Sequence, residues 1–93
     1  MNTRPQPWIA DIKFSDDVER KLSTKHGVSR QDVEEAFLYR TPRRAYWHVH
    51  EVYGERLIVQ ERPYGRSVDL IAILEAIDEA EGVWQCKTAR WDQ

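Results

Sequence analysis

A single cysteine among 93 residues excludes an internal disulfide and any scaffold stapled by several bridges. A lone thiol of this kind points to a reducing, cytoplasmic setting. With Gly 4 and Pro 4, the chain is neither collagen-like nor a low-complexity linker. The longest near-continuous apolar stretch runs only from Leu70 to Leu74, whereas a membrane-spanning helix needs about 20 apolar residues. Met1 to Ala10, with Pro5, Pro7 and Trp8, holds no apolar run like that of a secretory signal. There is no Gly-rich phosphate loop, no Gly-x-Ser-x-Gly elbow and no Cys–His spacing, so nucleotide binding and covalent catalysis lack their usual motifs. No internal repeat divides the sequence, and residues 1–93 are expected to form one domain. A dominant charge is lacking too. Lys and Arg number 14 against 16 Asp and Glu, a net of −2, which argues against coating nucleic acid or an anionic membrane by bulk charge.

What is present is a globular mixture, 41% hydrophobic and 32% charged. A chain of this size buries about 60–65% of its unfolded surface around one core. Its charge is unevenly placed. Residues 1–44 hold 9 basic and 7 acidic residues, and residues 45–93 hold 5 and 9. Four of those later acids, Glu75, Asp78, Glu79 and Glu81, crowd in or beside one turn; without them the balance is 14 basic to 12 acidic. A local basic surface is therefore compatible with the acidic total, although a solvated surface of mixed sign explains the same count.

Along the chain, Trp8 to Phe14 alternates well enough for a strand. Ser15 is placed as a helix N-cap, with Asp16 and Asp17 where the helix dipole favours negative charge. Gly27 follows Lys25 and His26 as a C-terminal glycine should. Ser29 and Asp32 read as a capping box, with Val28 and Val33 in the staple positions. Val33, Ala36 and Phe37 form the apolar stripe of the second helix, and Pro42 is expected to end it.

Beyond Pro42 the period changes to two. Ala45, Trp47 and Val49 fall on one face, with Tyr46, His48 and His50 on the other. Leu57 and Val59 oppose Ile58, Gln60 and Arg62. Turns at Tyr53-Gly54-Glu55, at Pro63-Tyr64-Gly65-Arg66 and at Asp78 to Gly82 separate further strands. Ser67 to Ile77 is nearly all apolar, so a central strand covered on both faces is expected. Val83 to Trp91 is the last strand. The class is therefore α+β: an N-terminal strand and a two-helix hairpin packed on a four-stranded antiparallel sheet.

Several sets of residues carry candidate chemistry. Lys21 to Phe37 has the outline of a helix-turn-helix, but Asp32, Glu34 and Glu35 would repel DNA where a recognition helix must approach it. A helical hairpin capping a sheet explains the segment with less strain. His48 and His50 share one side of a strand and suit proton transfer. A metal would want a third ligand, and Glu51 faces away, so no metal or cofactor is expected. Arg43, Arg44, Arg56, Arg62, Arg66, Lys87 and Arg90 gather near strand ends and turns. Phe37, Trp47 and Trp84 are assigned to the core, and Tyr46, Tyr64 and Trp91 to a surface where bases can stack. Cys86, alternating with Trp84 and Thr88, reads as a packed thiol.

The run Lys21-Leu22-Ser23-Thr24-Lys25-His26-Gly27-Val28-Ser29, then Asp32-Val33-Glu34-Glu35-Ala36-Phe37, resembles the helical hairpin of BrnT-like toxins. The closing Gly82-Val83-Trp84-Gln85-Cys86-Lys87-Thr88-Ala89-Arg90 is similar to the last strand of that group. These toxins belong to the RelE/ParE superfamily of bacterial toxin–antitoxin modules. The resemblance spans about Phe14 to Arg90 and implies a RelE-like fold, an antitoxin protein as partner and a metal-independent ribonuclease that needs no cofactor. It places Arg90 at the family's terminal arginine and His26 at its hairpin histidine. By the face argument His48 or His50 is the acid–base, and Arg62 and Lys87 join Arg90 in holding phosphate. His26, Arg43, Arg44 and Arg66 complete the expected RNA-binding set. Two alternatives stand beside it: a catalytically silent protein-interaction module, and a homodimer joined through an exposed edge strand.

Overall fold

The structure is a computed structural model that describes residues 7–93. Pro5 and the greater part of the Met1–Ala10 segment lie outside the described residues.

Each helix begins where its capping residues dictate. The Ser15 hydroxyl accepts the Val18 N–H at 3.1 Å and starts α1, Asp16–Lys21. The chain then widens into a π-helical turn, Leu22–His26, which stops at Gly27 with φ 62°. That left-handed residue costs glycine nothing sterically and lets the Val28 N–H reach back to the Leu22 carbonyl at 3.0 Å. Ser29 and Asp32 form a complete capping box, with bonds of 3.0 and 2.9 Å, at the head of α2, Arg30–Phe37. The helix ends before Pro42, the expected stop. Leu38 is already extended, and Tyr39 takes φ 57° so that its N–H can meet the Ile9 carbonyl at 2.9 Å. A tertiary hydrogen bond thus ends the helix ahead of the proline.

The strands are β1 Asp11–Lys13, β2 Arg44–His50, β3 Gly54–Glu61, β4 Leu70–Asp78 and β5 Val83–Trp91. They form one sheet in the order β1-β5-β4-β3-β2. Four strands make the antiparallel meander expected from the sequence. The expected four-stranded antiparallel sheet is nevertheless incomplete: the sheet has five strands and is mixed, because β1 runs parallel to β5 with Ile12 opposite Trp84. The first strand is also shorter than Trp8 to Phe14. The Ala10 and Asp11 N–H groups share the Gly82 carbonyl at 2.8 and 3.0 Å, and the Ile9 carbonyl serves Tyr39, so this backbone is held before a ladder begins.

The core lies between the helices and one face of the sheet. Leu22, Val28, Val33, Ala36 and Phe37 meet Leu57, Val59, Leu70, Ala72, Leu74, Trp84, Cys86 and Ala89, all buried. Burying each large apolar side chain contributes about 1.5–3 kcal/mol relative to leaving it exposed. Ile9 and Ile12 close one end of this layer. β4 is central as expected, but helices cover only one of its faces. Leu70, Ala72 and Leu74 point to them, while Ile71 and Ile73 alternate to the opposite side and stay half-buried. Its unbroken apolar run serves two surfaces, a core and an open face.

β5 carries the irregularity that sets up that open face. Ile73 opposes Thr88, and the next residue of β4, Leu74, opposes Cys86. Lys87 is thus an extra residue with no partner across the ladder, a β-bulge. The alternation reverses there. Trp84 and Cys86 face the core, yet Ala89 does so as well, and Thr88 and Arg90 turn to the open side.

Candidate nucleic-acid interface

Strand alternation and register build the open face row by row. One row across the sheet reads Arg44, Gln60, Ile71, Arg90, and the next reads Tyr46, Ile58, Ile73, Thr88. A third begins with His48 opposite Arg56. Tyr46, Ile58, Gln60, Ile71, Ile73, Thr88, Ala89 and Arg90 line a shallow depression of about 170 Å³. Its floor is apolar, and its ends are an aromatic phenol and a guanidinium.

The cations on and around this surface differ from one another in whether a carboxylate neutralises them. Arg43 and Arg62 both reach Asp69, at 3.5 and 3.0 Å. Arg56 pairs with Glu75 at 3.5 Å, and Arg66 pairs with Asp32 at 3.3 Å. Lys13, Arg20, Lys21, Arg30 and Arg40 each have an acidic partner as well. Among the described residues, Arg44 and Arg90 have no acidic partner, and both are exposed on the open face. His48, exposed two residues beyond Tyr46 on the same side of β2, likewise makes no hydrogen bond to another described group.

The residues expected to act together are therefore divided by the fold. His48, Arg90 and Arg44 share the open face with Tyr46. His50 points to the same side, but its Nδ1 accepts the Val52 and Tyr53 N–H groups at 3.1 and 3.2 Å, and its ring lies 4.7 Å from that of Tyr53. It closes the β2–β3 turn. Arg62 and Arg43 border the open face but are engaged with Asp69. That carboxyl is nearly buried and is held below its ordinary 3.8, chiefly by the Gln60 amide N–H at 2.7 Å and then by Arg62 and Arg43. Lys87 sits at the bulge, half-buried beside the Cys86 thiol. His26 and Arg66 belong to the helical side of the molecule. There Arg66 lies 4.6 Å over the Trp91 ring, and the Trp91 indole donates to the Gly27 carbonyl at 3.1 Å. Trp91, expected to be free for stacking, is held in this way at the core's edge.

Trp84 and Phe37 are fully buried, and Trp47 packs half-buried 5.8 Å from Trp84. Tyr46 and Tyr64 are exposed. Cys86 is buried, and burial pushes its thiol up to about 12. It is a packing group with no thiolate to offer as a nucleophile. The base-reading positions of a helix-turn-helix are also occupied. Arg30 turns to Glu34 and Gln31 to Glu35 along α2 itself.

Two residues of the face escaped sequence reasoning as site candidates. Gln60 was legible from the β3 alternation but carries no charge to single it out. Strict alternation puts Thr88 and Arg90 on the side of Cys86, a one-residue bulge near Thr88 reverses them, and the sequence leaves the two open; the bulge at Lys87 turns both to the open face.

Comparison with protein-family models, with curated proteins and with solved structures finds no match. The functional reading rests on the residues of this face. Among the described residues no group of three or more His, Cys, Asp or Glu side chains is placed to hold a metal ion. No helix there is long and apolar enough to cross a membrane.

Proposed function

We propose that the open sheet face binds single-stranded RNA and cleaves it without a metal, as the toxin of a bacterial toxin–antitoxin pair would. One observation carries this reading: Arg44 and Arg90, the two arginines of the face without a carboxylate partner among the described residues, flank an apolar depression edged by Tyr46. An open sheet face with an exposed aromatic suits unstacked bases, which π-faces bind with little regard to sequence. Three inter-strand steps separate Arg44 from Arg90, on the order of 14 Å. Two long guanidinium side chains over that span suit successive phosphates of an extended strand.

Cleavage follows from the nucleophile that RNA itself supplies. His48 takes the proton of a 2′-hydroxyl, and the 2′-oxygen attacks the adjacent phosphorus. The bond from phosphorus to the 5′-oxygen breaks, and that oxygen takes its proton from the Tyr46 hydroxyl, leaving a 2′,3′-cyclic phosphate. Arg44 and Arg90 stabilise the negative charge that builds on the phosphoryl oxygens. An antitoxin protein would silence the enzyme by covering this face.

The test is incubation of the purified protein with single-stranded RNA in the presence of a chelator, with analysis of the cleaved ends. Multiple turnovers giving cyclic phosphate ends are expected, with a 10²- to 10⁴-fold loss in His48→Ala, the usual contribution of a general base. Absence of cleavage at catalytic ratios would sink the enzyme reading. A second reading, a catalytically silent protein-binding module, is favoured by one feature: the turn occupies His50 and Asp69 neutralises Arg62, which leaves His48 as the one imidazole on the face without a partner among the described residues.

A further inference from the structure

Gln60 stands in the row between Arg44 and Arg90 and lines the depression. Its amide nitrogen is committed. Nε2 donates to Asp69 Oδ2 at 2.7 Å and lies 3.5 Å from Asp92 Oδ2. Two carboxylates at one end of an amide fix which end is nitrogen, because an ionised carboxylate only accepts. Asp69 is well suited to stay ionised, since the Gln60 N–H, Arg62 and Arg43 all favour its charged form. The oxygen, Oε1, is left as the end that accepts nothing from another described group. The side chain thus offers a fixed acceptor at a depression lined by Ile58, Ile71 and Ile73 together with Tyr46, Thr88 and Arg90.

The size of the depression restricts its occupant. About 170 Å³ is below the roughly 300–1,000 Å³ of pockets that enclose drug-sized ligands. It suits a single planar ring system lying against isoleucine side chains beside Tyr46.

We propose that Gln60 makes the depression selective for a nucleobase bearing an exocyclic amine and disfavours uracil. This rests on the RNA reading of the face and deepens it. An amine such as N4 of cytosine donates to Oε1. The O4 of uracil, placed at the same point, sets one acceptor against another and leaves both without a proton. Asp69 and Asp92 act here through Gln60; they orient its amide and do not touch the base.

Cytosine and uracil oligoribonucleotides of equal length make the cleanest comparison, because their rings match in size and differ in the group presented. Titration of the wild-type chain with each is expected to show about tenfold tighter binding of the cytosine oligomer, the low end of what one well-placed base-edge contact discriminates. In Gln60→Met, which keeps the length and loses the amide, the two affinities should converge to within about twofold. Asp69→Asn supplies a second arm: an asparagine can donate as well as accept, so the Gln60 amide is free to turn over and the preference should shrink. Equal binding of both oligomers by the wild type would overturn the inference and leave the RNA reading standing. A preference that survives in Gln60→Met would equally overturn it. Failure to bind either oligomer would remove the RNA reading and this inference with it.

Discussion

Arg44 and Arg90 occupy the two ends of a single row across four strands, joined through Gln60 and Ile71, and neither meets a carboxylate among the described residues. In a chain whose net charge is −2, such an arrangement is selective. The other described arginines each meet a carboxylate, so these two guanidinium charges stand unpaired on the open face. Arg44→Ala and Arg90→Ala should each weaken RNA binding at low salt. Each should also reduce the slope of log affinity against log salt by about 0.7, the value per phosphate contact for single strands. Both residues are exposed, so thermal stability should move by no more than about 0.5 kcal/mol. Binding isotherms at several salt concentrations check the first part and thermal melts the second. An unchanged slope would remove both arginines from the interface.

Asp69 gives the face an acid limit. Its carboxyl is held below the ordinary 3.8 in the folded state, first by the Gln60 N–H and then by Arg62 and Arg43. A lowered folded value means that this contribution is complete above 3.8 and disappears as the pH falls through the folded value. Stability of the wild type should therefore decline with acid below about pH 4 in part through this group. Asp69→Asn should be less stable than the wild type at pH 7 and should show a shallower decline below pH 4. Denaturant midpoints measured from pH 7 down to pH 2 decide it. Parallel curves for the two proteins would contradict the assignment.

Trp84 is the largest fully buried side chain, and its indole donates to the Trp8 carbonyl at 2.9 Å. Trp84→Ala should cost about 3–5 kcal/mol, a value set by lost burial and by the cavity left behind. Trp84→Phe should cost less, since it keeps most of the ring and loses the donor. Chemical denaturation of the two variants separates packing from the hydrogen bond. Equal losses would mean that the bond to Trp8 carries most of the effect.

Gly82 lies under Trp8, and its backbone has φ 72°. A β-carbon there would stand 2.5 Å from Trp8 Cδ1 and 2.9 Å from the Trp8 carbonyl oxygen. Gly65, with φ 80°, has open space around the same position. Both glycine-to-alanine changes incur the left-handed penalty of about 1–2 kcal/mol. Gly82→Ala should cost more, and hydrogen exchange should show the amides of Ala10 and Asp11 losing protection. Matching stabilities for the two variants would show that Trp8 moves aside without cost.

The helices and most of the sheet were legible because their signals are local. Ser15, Gly27 and the Ser29–Asp32 box each act within a few residues, and the alternation of β2 and β3 places every side chain on its observed face. Three features resisted for the same physical reason: each depends on residues distant in sequence. Tyr39 ends α2 through the carbonyl of Ile9. β1 takes its direction from β5. Lys87 bulges out of a ladder whose other half is β4. The site suffered accordingly. His48, Arg44 and Arg90 could be picked by residue type, but residue type could not show that Asp69 engages Arg43 and Arg62 or that a turn captures His50. The bulge mattered most, since it alone moved Thr88 and Arg90 out of phase with Cys86.

The parallel pairing of β1 with β5 makes closure of this sheet depend on strands far apart in sequence. The first described strand finds its single sheet neighbour in the last described one, and the Trp84–Trp8 bond ties residues 76 positions apart. Contacts so distant in sequence slow folding, because the intervening chain must be ordered before they form. Ile9 and Ile12 wait uncovered on the nascent chain until Val83–Trp91 has been translated. Thr88 and Arg90 arrive on that same strand. Closure of the core and assembly of the open face thus both wait on β5, which carries residues of each.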